Sequence, residues 1–192
     1  MAKFKVIVMF ILCSVIHAIV ASSQGPQPVD KWFQNLKNNK QVPKTEIIQV
    51  YIQDIFGGPG QTVYEIARSN ITAATSFGVF GQLFMIDNLL TAGPDPSSKP
   101  LGRAQGLVGF SDLNELVVYV SFNIYFRGGP YDGSTISVFG RNPLMNAARE
   151  LSIVGGTGVF RLARGVAVST TYMDFNATGY GILKYIYSLC CS

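Results

Sequence analysis

From Glu46 onward the chain is a succession of short apolar runs rich in Val, Ile, Phe and Tyr, each cut off by a cluster of Gly, Pro or Asn. Runs of this length and composition make β-strands, and the punctuating residues make the turns between them. The spacing predicts strands over residues 47–55, 62–67, 79–88, 102–110, 116–127, 135–140, 158–163, 166–174 and 180–187. A single short helical window, 143–150, opens on Pro143 and is too brief to cross a sheet. An all-β chain must hide the edges of its sheet, and closure into a barrel removes them. In the run 116–127, Val118, Val120, Phe122, Ile124 and Phe126 alternate with Tyr119, Ser121, Asn123, Tyr125 and Arg127, giving one apolar and one mixed face. Either face can line a small barrel, whose interior is filled with side chains or holds one small ligand.

The N-terminal segment is built differently. Lys3 and Lys5 precede the apolar stretch Val6 to Val20, and small residues follow at Ala21, Ser22 and Ser23. This is the order of a secretory signal peptide, and the stretch is shorter than the ~20 residues of a membrane span. The expected organisation is a signal peptide over 1–21, a polar and proline-containing flexible leader over 22–45, and a barrel domain over 46–192. No later run is long enough to span a membrane. Removal of the signal peptide would take away His17, the only histidine, together with Cys13, Lys3 and Lys5. The remaining basic residues nearly balance the 11 acidic ones and are dispersed, which gives no case for nucleic acid as a partner. Behind a signal peptide, Asn70-Ile71-Thr72 and Asn176-Ala177-Thr178 read as glycosylation acceptors at Asn70 and Asn176. Cys190 and Cys191 are adjacent, so a vicinal disulfide, pairing between chains and free thiols are all open to them.

The residue inventory then narrows the chemistry. Without an imidazole the mature chain has no Ser-His-Asp or Cys-His arrangement, and two neighbouring thiols cannot supply the converging ligands of a zinc site. The Gly155-Gly156-Thr157-Gly158 run lacks the Lys-Ser/Thr ending of a phosphate-binding loop and reads as a connection between strands. Carboxylates, tyrosines and arginines remain for acid–base work. Asp54 stands within the apolar run IIQVYIQDIF, where burial would raise its pKa and keep it a proton donor near neutrality. The alternative for Asp54 is a cap on the turn at Gly57-Gly58-Pro59. Arg149 and Glu150 read as an adjacent charge pair, while Arg161 and Arg164, three apart in a strand pattern, should point to opposite faces.

Four segments carry a family resemblance. YIQDI at 51–55, SFGVFGQLFMIDNLLTAGPDPSSKP at 76–100, PLGRAQG at 100–106 and GRNPLMNAARELSIVGGTGVFRLARG at 140–165 resemble the dirigent family, across almost the whole chain after Glu46. The resemblance implies an eight-stranded antiparallel β-barrel akin to the allene oxide cyclase and lipocalin-like barrels. It also implies secretion to the plant apoplast and a homo-oligomer, dimer or trimer. Such proteins carry no oxidising cofactor. An external laccase or peroxidase generates phenoxy radicals, typically from coniferyl alcohol, and the barrel fixes how they couple, as in lignan formation within phenylpropanoid biosynthesis. Other members act on a quinone methide, as in pterocarpan formation, and a non-catalytic wall-binding role is the remaining expectation. The family's strand-one aspartate falls on Asp54 and its arginine after the GxxP element on Arg149, the catalytic candidates; Asn142 and Tyr51 are the substrate-binding candidates. Pinoresinol-forming members carry an aspartate where this chain has Asn142 and usually a histidine where it has Gln53. They also tie the C-terminal cysteine to one near the N-terminus that is missing here. An amide cannot give or take a proton at neutral pH, so a two-carboxylate mechanism loses one member and the expected product shifts away from pinoresinol.

Overall fold

The computed structural model describes residues 44–71, 78–175 and 179–191. Nine antiparallel strands appear in chain order: β1 Lys44–Ile55, β2 Val63–Ala67, β3 Leu83–Thr91, β4 Pro100–Phe110, β5 Val117–Phe126, β6 Thr135–Pro143, β7 Arg149–Thr157, β8 Arg164–Met173 and β9 Tyr180–Cys191. They hydrogen-bond in the order β1-β9-β8-β7-β6-β5-β4-β3-β2, and β1 also pairs with β3, which closes the barrel. Tyr51, Ile52 and Gln53 face Thr91, Leu90 and Leu89 at that seam, and Val63, Tyr64 and Glu65 of β2 face Ile86, Met85 and Phe84 further along the same strand. β2 therefore resumes the line of β1 after the excursion through residues 56–62. Nine strands fill eight positions, and the eight-stranded antiparallel barrel expected from the sequence is the fold.

Two segments differ from the sequence expectation. The window 143–150 is no helix: Pro143 ends β6, a turn closes through the Asn146 amide donating to the Pro143 carbonyl, and β7 begins at Arg149. Arg149, Leu151 and Ile153 point inward and Glu150, Ser152 and Val154 outward, a two-residue alternation that the flanking Pro143 and the Gly155-Gly156 pair obscure in the sequence. Arg149 and Glu150 consequently lie on opposite faces. Residues 158–163 are no strand either. Gly158 takes a left-handed φ of 63° and opens a 3-10 turn over Gly158–Phe160, whose fixed direction drives the Phe160 ring into the barrel.

The inward sets of all strands form the core, from Ile48, Val50 and Ile52 on β1 round to Tyr185, Tyr187 and Leu189 on β9. The two ends of the barrel differ. At the end carrying the β5–β6 and β7–β8 connections, Phe126, Tyr131 and Phe160 pack with ring centroids 5.1–5.6 Å apart and stopper the interior. The opposite end carries the β1–β2, β4–β5, β6–β7 and β8–β9 connections and opens into a cavity. Close strand approach near the stoppered end depends on Gly165, where an added Cβ would stand 2.1 Å from the Ser188 carbonyl oxygen and 2.7 Å from the Leu189 Cα. Backbone cannot yield as a flexible side chain does. Gly165→Ala is expected to cost about 3 kcal/mol, seen as a melting temperature lower by about 6–12 °C. An unchanged melting temperature would show that β8 and β9 can part at no cost.

Candidate functional site

The cavity at the open end has a volume of about 480 Å³, within the roughly 300–1,000 Å³ typical of small-molecule sites. Its mouth is ringed by aromatic side chains. Phe56 meets Phe175 edge-on at 4.9 Å and Phe84 at 5.9 Å, and Phe84 meets Phe110 at 6.2 Å. Deeper in, Ile52, Val118 and Val120 line the walls, and Phe122 meets Tyr185 at 6.0 Å as the floor. Against this apolar lining stand a few polar groups from separate strands.

Asp54 occupies an inward position two residues beyond Ile52 and is 8% exposed. Its strand partner on β9 is Gly181, which has no side chain to offer it. Asn88, inward on β3, donates through Nδ2 to Asp54 Oδ1. Burial raises the Asp54 pKa to about 7, against the smaller lowering from Asn88. The carboxyl group is thus half protonated near neutrality. The neighbouring turn does not use Asp54: Ile55 donates to Thr62 Oγ1 at 3.3 Å and Thr62 to the Ile55 carbonyl at 2.9 Å.

Arg149 is 2% exposed at the start of β7. It donates to the Asn146 carbonyl at 3.3 Å, Thr171 Oγ1 at 3.0 Å and Ser169 Oγ at 3.1 Å. Register explains the last contact, because Arg149 pairs with Ser169 and Ser169 with Tyr185. Tyr185 is raised to about 12 by burial; its Ser169 hydrogen bond lowers it, Asp54 raises it and Arg149 lowers it. It therefore lies within electrostatic reach of both charged groups and stays a neutral phenol. Asn142, 3% exposed near the end of β6, also lines the cavity. Three atoms here are buried without a hydrogen-bond partner: Asn88 Oδ1, Asn142 Oδ1 and Arg149 Nε. Each such orphan costs roughly 1–3 kcal/mol unless something satisfies it.

The structure thus brings Asp54, Asn142 and Arg149 into one cavity. Tyr51 is not with them. Strand parity turns it, three residues before Asp54, to the outer face, where its ring meets Tyr172 edge-on at 5.5 Å and accepts a hydrogen bond from Gln49. Gln53 is also outward and fixes the β3–β4 connection through Thr91 Oγ1 at 2.8 Å and the Pro94 carbonyl at 3.2 Å. Neither Arg161 nor Arg164 lines the cavity; Arg164 is exposed at the start of β8 and donates to the Ala163 carbonyl at 2.9 Å. Asn70 is exposed in the turn after β2, whereas Asn176 falls outside the described residues. Asn88, Ser169, Thr171 and Tyr185 are site residues that the sequence reading did not single out. Asn88 carried a signal, being a polar residue in phase with Ile86 and Leu90 in FMIDNLL.

The barrel is thus stoppered at one end and encloses an apolar chamber that holds a buried acid, amides and a guanidinium. Comparison with known proteins places it more closely. The Dirigent-like protein family matches residues 45–189. Dirigent protein 23 of Arabidopsis thaliana is 38% identical over 92% of this chain and 92% of its own length. Pterocarpan synthase 1 of Glycyrrhiza echinata is 33% identical over 92% of this chain and 89% of its own. Among solved structures, the pterocarpan synthase dirigent protein GePTS1 superposes with a TM-score of 0.73 at 32% identity, covering 80% of this chain and 88% of that one. The chain belongs to the dirigent protein family.

Proposed function

We propose that the barrel takes a phenolic benzylic alcohol of the isoflavanol type and, by loss of one water through a quinone methide, closes it to a cyclic ether of one hand. The observation that carries this reading is a buried Asp54, protonated up to about pH 7, sharing an apolar chamber with a buried Arg149. Relatives named as pterocarpan synthases supply the substrate class. The phenol against Arg149 gives its proton to solvent as the guanidinium stabilises the phenolate, whose electrons expel the benzylic hydroxyl, which leaves as water with the proton of Asp54. A second phenol of the same molecule then adds to the methide carbon. Its proton passes to the Asp54 carboxylate, and the electron pair returns to the oxygen on Arg149, which takes back a proton from solvent. The atoms balance as substrate minus water, with no redox step and no cofactor. The chamber walls expose one face of the methide, a positioning effect that needs no further chemistry.

Because Asp54 must begin protonated, kcat/KM is expected to fall on the alkaline side with a midpoint near 7. A rate that stays flat from pH 6 to 9 would exclude Asp54 as the acid. The reading itself is tested by incubating the protein with such a substrate in the absence of any oxidant and separating the product on a chiral column. Absence of turnover would sink it. The second reading is stereoselective coupling of phenoxy radicals supplied by an external laccase or peroxidase, and the relatives that carry the dirigent name, such as Dirigent protein 23, favour it. Coniferyl alcohol with a one-electron oxidant would then give dimers of one hand; a racemic product would remove that reading. Secretion to the apoplast behind residues 1–21, glycosylation at Asn70 and Asn176, and a homo-oligomeric assembly complete the proposal.

A further inference from the structure

A buried guanidinium is ordinarily balanced by a carboxylate, since an ion taken out of water without a counter-charge costs several kcal/mol. Among the described residues Arg149 has no such partner. Its acceptors are a carbonyl and two hydroxyls, all neutral, and its Nε has none. The register Val138↔Ile153 and Phe139↔Ser152, continued three places, sets Asn142 across from Arg149. An amide therefore stands where a carboxylate would neutralise the charge, and the Asn142 Oδ1 is itself without a partner. The other ionisable groups facing the chamber are Asp54 three strands away on β1, Asp174 exposed at the mouth, and Tyr185 on the floor. Neither aspartate is ion-paired with Arg149, whereas the exposed arginines Arg68, Arg103 and Arg141 all have carboxylate partners.

We propose that the chamber is also a receptor for aromatic monocarboxylates, with the carboxylate seated between the Arg149 guanidinium and the Asn142 amide and the ring against Phe122 and Tyr185. The guanidinium donates to one carboxylate oxygen, and the Asn142 NH₂ donates to the other. The size and lining of the chamber suit a hydroxycinnamate-type monoanion. Such an acid, with a carboxyl pKa of ~4, is ionised across the range in which Asp54 keeps its proton, while a phenol of pKa ~10 is not. Below neutrality the chamber therefore holds a net positive charge from Arg149 that a carboxylate answers and a neutral alcohol does not. This inference rests on the charge of the cavity and not on the dehydration reaction. In that setting the acid would compete with a neutral phenolic substrate for the same space.

The test is titration calorimetry at pH 6 with ferulate and with its neutral methyl ester as probes, on the mature protein. Ferulate is expected to bind at least tenfold more tightly than the ester, and the preference should shrink as pH rises past 7 and Asp54 ionises. Asn142→Asp provides an internal counter-charge beside Arg149 and should remove most of the preference while the protein still melts cooperatively. Arg149→Met should abolish it. Equal binding of acid and ester by the wild type, or an undiminished preference in the Asn142→Asp protein, would overturn the proposal. The readout is binding, so its failure leaves the turnover experiment above to stand or fall separately.

Discussion

Asp54→Asn is expected to lower turnover by at least about 10³-fold, within the range for loss of a general acid, and at the same time to make the protein more stable at pH 8. The second effect follows from linkage. Burial raises the folded-state pKa of Asp54 to about 7 from an ordinary value of 3.8. The folded chain therefore binds more protons than the unfolded chain between those values, and the stability present below pH 4 is lost as pH rises through 7. The full loss is on the order of 4 kcal/mol for a carboxyl this deeply buried. Asparagine keeps the shape and can still accept from Asn88 Nδ2, yet it never ionises. The wild type and the variant should melt together near pH 4 and separate by on the order of 10 °C at pH 8, the variant higher. A variant less stable than the wild type at pH 8 would mean that Asp54 is held for structure and not for chemistry.

Arg149→Met is the second large effect. It should lower kcat/KM by about 10²–10³-fold, the scale seen when a preorganised donor to a developing oxyanion is removed. If Arg149 acts on charge that builds as the methide forms, the loss will fall mainly on kcat; equal binding of substrate and transition state would place it on KM instead. Stability should change by no more than about 2 kcal/mol, because the variant surrenders three hydrogen bonds but also relieves an unbalanced buried charge. Thermal melting followed beside the kinetics separates the two. A loss of activity that merely tracks a loss of folded protein would remove Arg149 from the reaction.

Alternation made much of this fold readable. Alternation in β5 separated an apolar from a mixed face, the structure puts the apolar one inside, and the same parity, applied from Ile52, points Asp54 inward and Tyr51 outward. Tyr51 shares the YIQDI motif with Asp54 but stands at the opposite parity in β1. β7 was hidden because its outward Glu150, Ser152 and Val154 do not contrast cleanly with the inward Arg149, so the alternation has a charge on the wrong side. The partnership of Asn88 with Asp54 could not be read locally, since it depends on the β1–β3 seam that closes the sheet. Nor could the row from Arg149 through Ser169 to Tyr185, which exists only once three strands are in register. The apolar run around it singled out Asp54, and family resemblance added Asn142 and Arg149; cross-strand register decides what each one touches.

The stopper of Phe126, Tyr131 and Phe160 imposes an order of traffic on whatever chemistry the chamber performs. A vessel closed at its base is filled and emptied from the top, so the last molecule in must be the first out. If two molecules were to react inside, the deeper one would be held by Tyr185 and Phe122 while its partner arrived above it through the ring of phenylalanines. One would always present its far end and the other its near end. Selection of hand would then begin with the queue, before any bond is made.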